Sequence, residues 1–178
     1  MSDPSSDHIE RYSSAVACVA AGISTDKLKS WSNGPSAALL IPEDDMDRRG
    51  RGIPLLLSFR RVVHIALTAQ LVRHGLRPVD AAAAAAKFTD FGDPFHDAGN
   101  GVFIGKRLPG QLYQEGRTLL VVMPSHSATD SKVRLRNIKA SDGATRLLAL
   151  LSPSATIVDV SSVVAHVRTV LDGGTATA

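Results

Sequence analysis

Apolar residues recur at Ile9, Tyr12, Val16 and Val19 or Ala20, at intervals of three and four that predict a helix over residues 9–21 with this stripe buried. Gly22 ends it. Ser24 then stands where a side-chain oxygen can cap the next helix, and Asn33-Gly34-Pro35 stops that helix. In the second helix the two faces differ sharply. Ile23, Leu28 and Trp31 can pack on the first helix, which leaves Lys29, Ser30 and Asn33 toward solvent and Thr25 and Lys27 at the edges.

Residues 37–57 change period: "AALLI", an acidic Pro-Glu-Asp-Asp turn, a Gly-Arg-Gly tip and "IPLLL" predict two short strands flanking a flexible hairpin, a wing. Ser58 is placed to cap a further helix, "SFRRVVHIALTAQLVRHG", in which Phe59, Val62, Val63, Ile65, Ala66, Ala69 and Val72 cover a broad apolar face. Gly75 closes it, and "LRPVDAAAAAAKF" restarts a helix with Pro78 in its first turn and a run of alanines behind it. Glycine, proline and aspartate then concentrate in "FGDPFHDAGNG", residues 91–101, where loop is expected and a domain boundary placed. Beyond it "RTLLVVMP" and "KVRLRNIKA" read as strands, "GATRLLALL" as a helix, "ATIVDV" as a buried strand and "SSVVAHVRTVL" as a helix. The expected fold is a mainly α winged helix-turn-helix module followed by a small α/β domain. Its divisions are a disordered start at 1–8, the module at 9–91, a linker at 92–116, the α/β domain at 117–172 and a tail at 173–178.

Composition narrows the class without naming a function. Of 178 residues 44% are hydrophobic and 21% charged, ordinary values for a globular chain. No apolar run reaches membrane-spanning length, and "MSDPSSDHIER" lacks the basic-then-apolar layout of a secretory signal, so a cytoplasmic protein is expected. The single Cys18, between Ala17 and Val19, offers neither an intrachain disulfide nor a metal-ligand spacing and reads as a core thiol. A net charge of +3 is modest, but its distribution is not. "RRGRGIPLLLSFRR" holds five arginines and no acid, and "KVRLRNIK" puts Lys132, Arg134 and Arg136 on one strand face against Val133, Leu135 and Asn137.

These features converge on nucleic acid. Hydroxyls and amides on the outward side of a short second helix suit base edges, lysines there suit phosphates, and the amides near Ser24 and Thr25 can receive a phosphate oxygen. Arg48, Arg49 and Arg51, around Gly50 and Gly52, can be carried on a mobile tip into a narrow groove or along a backbone. A helical hairpin with a solvated lysine face is the plain structural alternative.

From about Ser13 to Phe91 the chain resembles the winged helix-turn-helix domain of MerR-type transcription regulators. "ACVAAGISTDKLKSW" is similar to their first motif, an Ala-rich helix and a Gly-hydrophobic-Ser turn before the recognition helix. "LLSFRRVVHIALTAQLVRHGLRPVDAAAAA" is similar to their second helix pair, including the Gly-Leu turn. The resemblance implies that Lys29 takes the place of the motif arginine, that Trp31 is a core aromatic, and that Arg48, Arg49 and Arg51 fall in the wing. It departs where a Gly-Tyr-Arg segment is usual: here "GIPLLLSF" puts Pro54 and Leu55 in place of a phosphate-binding arginine, which shifts that role to Arg60 or Arg61. No long dimerisation helix follows, and there is no cysteine set for a metal effector.

The expected function is sequence-specific binding of double-stranded DNA by a homodimeric transcription regulator, through Ser24, Thr25, Lys27, Lys29, Ser30, Arg48, Arg49, Arg51, Arg60 and Arg61. The alternatives are a phage-type architectural protein, like an excisionase or a terminase small subunit, and a protein-interaction module. The basic face of 132–139 could touch flanking DNA, bind an anionic ligand, or simply be solvated. Enzymatic readings are set aside. Adjacent Ser125, His126 and Ser127 point apart on an extended segment, and Asp44, Asp45 and Asp47 lack the spacing of an oxygen-ligand loop. His64 and His74 are too far apart to share a metal, and "GNGVFIG" lacks the strand-turn-helix setting of a dinucleotide site. No cofactor, metal or membrane is expected, and an effector is left open.

Overall fold

Serines cap the first three described helices. The structure, a computed structural model, describes residues 10–33, 37–39, 46–47, 55–93, 96–97, 103–104, 107–123, 132–143 and 155–173. Ser13, Ser24 and Ser58 each accept from the amide three residues on, at 3.3, 3.2 and 3.3 Å, and begin α1 (Ser14–Ala21), α2 (Thr25–Ser32) and α3 (Phe59–Arg73). α4 follows at Pro78–Thr89, with its first turn tied by Arg77 donating to Asp80 at 2.6 Å. With α5 (Val160–Leu171) and the antiparallel sheets described below, the chain is mixed α/β. No described helix is long and apolar enough to cross a membrane.

Two compact units share these elements: residues 1–83 with 163–178, and residues 84–162. The division falls inside α4 and inside α5.

In the first unit, β1 (Arg11–Ser13), β2 (Met46–Asp47) and β3 (Leu56–Ser58) form an antiparallel sheet in the order β1-β3-β2. Its register pairs Tyr12 with Leu57 on one side, and Met46 with Leu57 and Asp47 with Leu56 on the other. The helix expected over 9–21 is therefore shorter. Residues 11–13 pair with β3 instead, and the Ser13 cap resets the helix start, a non-local choice that helical spacing cannot see. Its buried side also differs: Ala17, Cys18, Ala20 and Ala21 are buried, whereas Val16 and Val19 are 39% and 68% exposed. Four small residues let α1 lie close against α3, and the larger valines turn outward. Burial pushes the Cys18 thiol above its usual pKa, as a packed core thiol requires.

α3 is the central helix of this unit, buried on nearly every side from Phe59 to Leu71. Its last residue fixes the turn between α1 and α2. Arg73 Nη2 donates to the carbonyls of Ala21 and Gly22 at 3.2 and 2.7 Å, and Gly22 has φ +62°. A Cβ on Gly22 would lie 2.6 Å from that same nitrogen, so glycine answers both the left-handed backbone and the arginine's approach.

The strand expected at 37–41 is not seen in its described part. Leu39, 3% exposed, donates its amide to the Trp31 carbonyl at 2.9 Å, satisfying the end of α2 rather than a ladder. The strand that pairs with β3 is β2, further on.

The second unit holds β4 (His96–Asp97) paired with β5 (Phe103–Ile104), and a sheet of β6 (Arg117–Met123), β7 (Lys132–Ile138) and β8 (Thr156–Asp159) in the order β7-β6-β8, all antiparallel. Thr118 through Val122 of the central β6 are buried on both faces. The 92–116 stretch, expected as a linker, thus contains a short ladder, and it also contains Arg107, 2% exposed. Arg107 donates to the carbonyls of Phe88 at 2.9 Å and of Phe91, which fall at and just beyond the end of α4, and to that of Leu108 at 3.0 Å. Burial lowers its pKa, opposed by Asp93 at 3.7 Å, whose carboxylate also accepts from Tyr113 at 2.8 Å. The helix expected at 143–151 lies outside the described residues beyond Gly143.

Candidate nucleic-acid interface

α2 is a helix of eight residues with a mostly polar sequence, held by two large apolar side chains. Leu28 and Trp31, three apart, are 5% and 6% exposed. Burying them contributes roughly 1.5–3 kcal/mol each, far more than the propensity of so short a helix supplies. What this leaves outside is Thr25, Lys27, Lys29, Ser30 and Asn33, all exposed.

The exposed set has internal structure. Ser24 spends its oxygen on the Lys27 amide, 3.2 Å away, so its first role is to cap. The Lys27 ammonium stands 5.3 Å from the Trp31 ring centroid, an interaction of about 0.5–1 kcal/mol at an exposed site. Lys29 lies 3.9 Å from Asp26, and both side chains are largely in solvent, so the pair is weak. Asp26 also sits in the first turn, where it suits the helix dipole and competes with any other anion there.

Thr25, Lys29 and Ser32 follow one another at helical spacing and, with the capping Asn33, line a cleft of about 360 Å³ together with Leu28, Ser14 and Leu55. The cleft lies beside the start of α1, whose Ser14 amide donates to the Leu55 carbonyl at 3.1 Å. Ser32 Oγ is buried without a hydrogen-bond partner among the described residues. Chemically the cleft is mostly apolar, with the hydroxyls of Ser14 and Thr25, one carboxamide and one ammonium at its walls able to donate to and accept from base edges and to meet a phosphate. Sequence reasoning missed Ser14 and Ser32. The helical stripe through Thr25 and Lys29 could have found Ser32, but only the fold brings Ser14 there.

The arginines fare differently from one another. Arg48, Arg49 and Arg51 lie outside the described residues; in sequence they fall between β2 and β3, which pair antiparallel. Arg60 is partly buried. Arg61 corrects the sequence expectation: it is 1% exposed, and its Nη1 is 3.1 Å from Nδ1 of His64, itself 4% exposed. The position one turn into α3 faces the core, so this guanidinium is not available to a phosphate.

No protein-family model matches the chain, and comparison with curated proteins returns no match.

Proposed function

We propose that the chain is a sequence-specific DNA-binding protein, a dimeric transcription regulator whose first unit acts as a winged helix-turn-helix module similar to that of MerR-type regulators. The observation that carries this reading is the division of α2. Leu28 and Trp31 are enclosed while Thr25, Lys27, Lys29, Ser30 and Asn33 stand in solvent. The element order supports it: a strand, two short helices joined by a Gly22-centred turn, an antiparallel strand pair with three arginines between its members, then two more helices. In this reading Thr25, Lys29, Ser30 and Asn33 meet base edges and phosphates in the major groove, and Lys27 a flanking phosphate. Arg48, Arg49 and Arg51 meet the adjacent backbone or minor groove, and Arg60 takes the phosphate role to which Arg61 has no access.

Gel retardation of genomic fragments at two salt concentrations tests it. Sequence-selective retardation that weakens steeply with salt is expected. Absence of any salt-sensitive, sequence-selective shift would mean that the helix pairs serve a protein partner instead.

A further inference from the structure

Among the described residues, lysine and arginine side chains nearly all have partners. Of those described, Lys29, Arg77, Arg117 and Lys139 pair with acids, Lys27, Lys87 and Arg168 stand over aromatic rings, and Arg73 and Arg107 hold carbonyls. Arg11, Arg60 and Arg61 are engaged as well. Among the described residues, Arg134 and Arg136 meet no hydrogen-bond acceptor, no acid and no aromatic ring.

Both lie on β7, and the register explains why nothing neutralises them. Arg134 is opposite Val121 and Arg136 opposite Leu119, so the cross-strand neighbours on their face are apolar where an acid would normally answer an arginine. The acid on that face, Asp159 of β8, is opposite Leu119 on the far side of β6 and is taken by Arg117 at 3.0 Å and by Ser162. Successive cations on one strand face are about 6.7 Å apart, twice the axial rise of about 3.4 Å per phosphate along one DNA strand. Two single charges at that spacing without cross-strand acids suit a phosphate backbone; an acidic peptide added to a strand is instead held through its main chain and side-chain pockets.

We propose that the outer edge of the sheet at β7, through Arg134 and Arg136, is a second DNA-binding surface: a sequence-independent grip on the phosphate backbone made by the second unit. It rests on the DNA-binding reading above only in its choice of polyanion, and it uses none of the α2 residues.

The test is the salt dependence of affinity for random-sequence duplex, measured on the full chain between roughly 50 and 200 mM salt. Arg134→Gln with Arg136→Gln should lower the slope of log affinity against log salt by about 1–2, at about 0.9 for each phosphate no longer neutralised, weakening all sequences by the same factor. Arg134→Lys with Arg136→Lys should keep the slope. Sequence preference, read in parallel with Lys29→Ala and Asn33→Ala, separates the two proposals. If α2 does not read sequence, no preferred site exists, yet the slope still drops in the glutamine variant. If β7 does not bind DNA, the preferred site persists and the slope is unchanged. An unchanged slope overturns the proposal, whether the variant stays dispersed, self-associates because the cations only guarded a strand edge, or loses binding to polyglutamate alone. Failure of the wild-type chain to bind any duplex overturns both.

Discussion

α1 and α2 have the same length, the same kind of serine cap and a single turn between them, yet one belongs to the core and the other mostly to the surface. α1 is apolar almost throughout and packs by its smallest residues, so Val16 and Val19 face solvent. α2 is mostly polar and is held by Leu28 and Trp31. The difference teaches that a mostly polar helix states its orientation in its own sequence, because only two side chains are worth burying. An apolar helix leaves the choice to whatever packs against it, and here α3 selects Ala17, Cys18, Ala20 and Ala21.

Trp31→Ala should cost most, about 3–5 kcal/mol, since it removes α2's main anchor and the ring beneath Lys27; denaturant unfolding would measure it, and a cost below about 1 kcal/mol would mean that α2 is held some other way. Ala17→Leu should cost about 1–3 kcal/mol by overpacking, because Ala17 is 0% exposed in α1. Ser24→Ala should cost about 1 kcal/mol by removing the cap to Lys27, and thermal melting resolves that. Val19→Ser should change stability by no more than about 0.5 kcal/mol despite replacing a valine in an apolar helix, since that valine is 68% exposed. A larger loss would restore the stripe read from spacing alone.

The same physics decides how much was legible beforehand. The caps at Ser24 and Ser58, the two faces of α2, and strands β6, β7 and β8 follow from local signals of side-chain oxygen, period and turn residues. β1 was hidden because its partner β3 is remote in the chain, Arg11 opposite Ser58, and because Ile9 and Tyr12 fit a helix equally well. Arg61 was misread because a charge in a basic run looks like surface, and only the enclosure of α3 turns it inward. Arg107 carried no local signal at all; its role exists only once α4 ends nearby with carbonyls to be met. In the candidate interface the exposed α2 residues were readable from the helix itself, whereas Ser14 joins the cleft only through the β1–β3 pairing that sets where α1 begins.

In the proposed function α2, anchored by Leu28 and Trp31, presents a face that reads DNA. Selecting bound duplexes from a random-sequence pool, with the native chain and with a Lys29→Ala, Asn33→Ala variant of equal thermal stability, addresses it most directly. One enriched motif with inverted half-sites is expected for the native chain, and loss of that motif in the variant while weak, salt-sensitive binding persists. Recovery of the same motif by both proteins, or of none by the native chain, would contradict it.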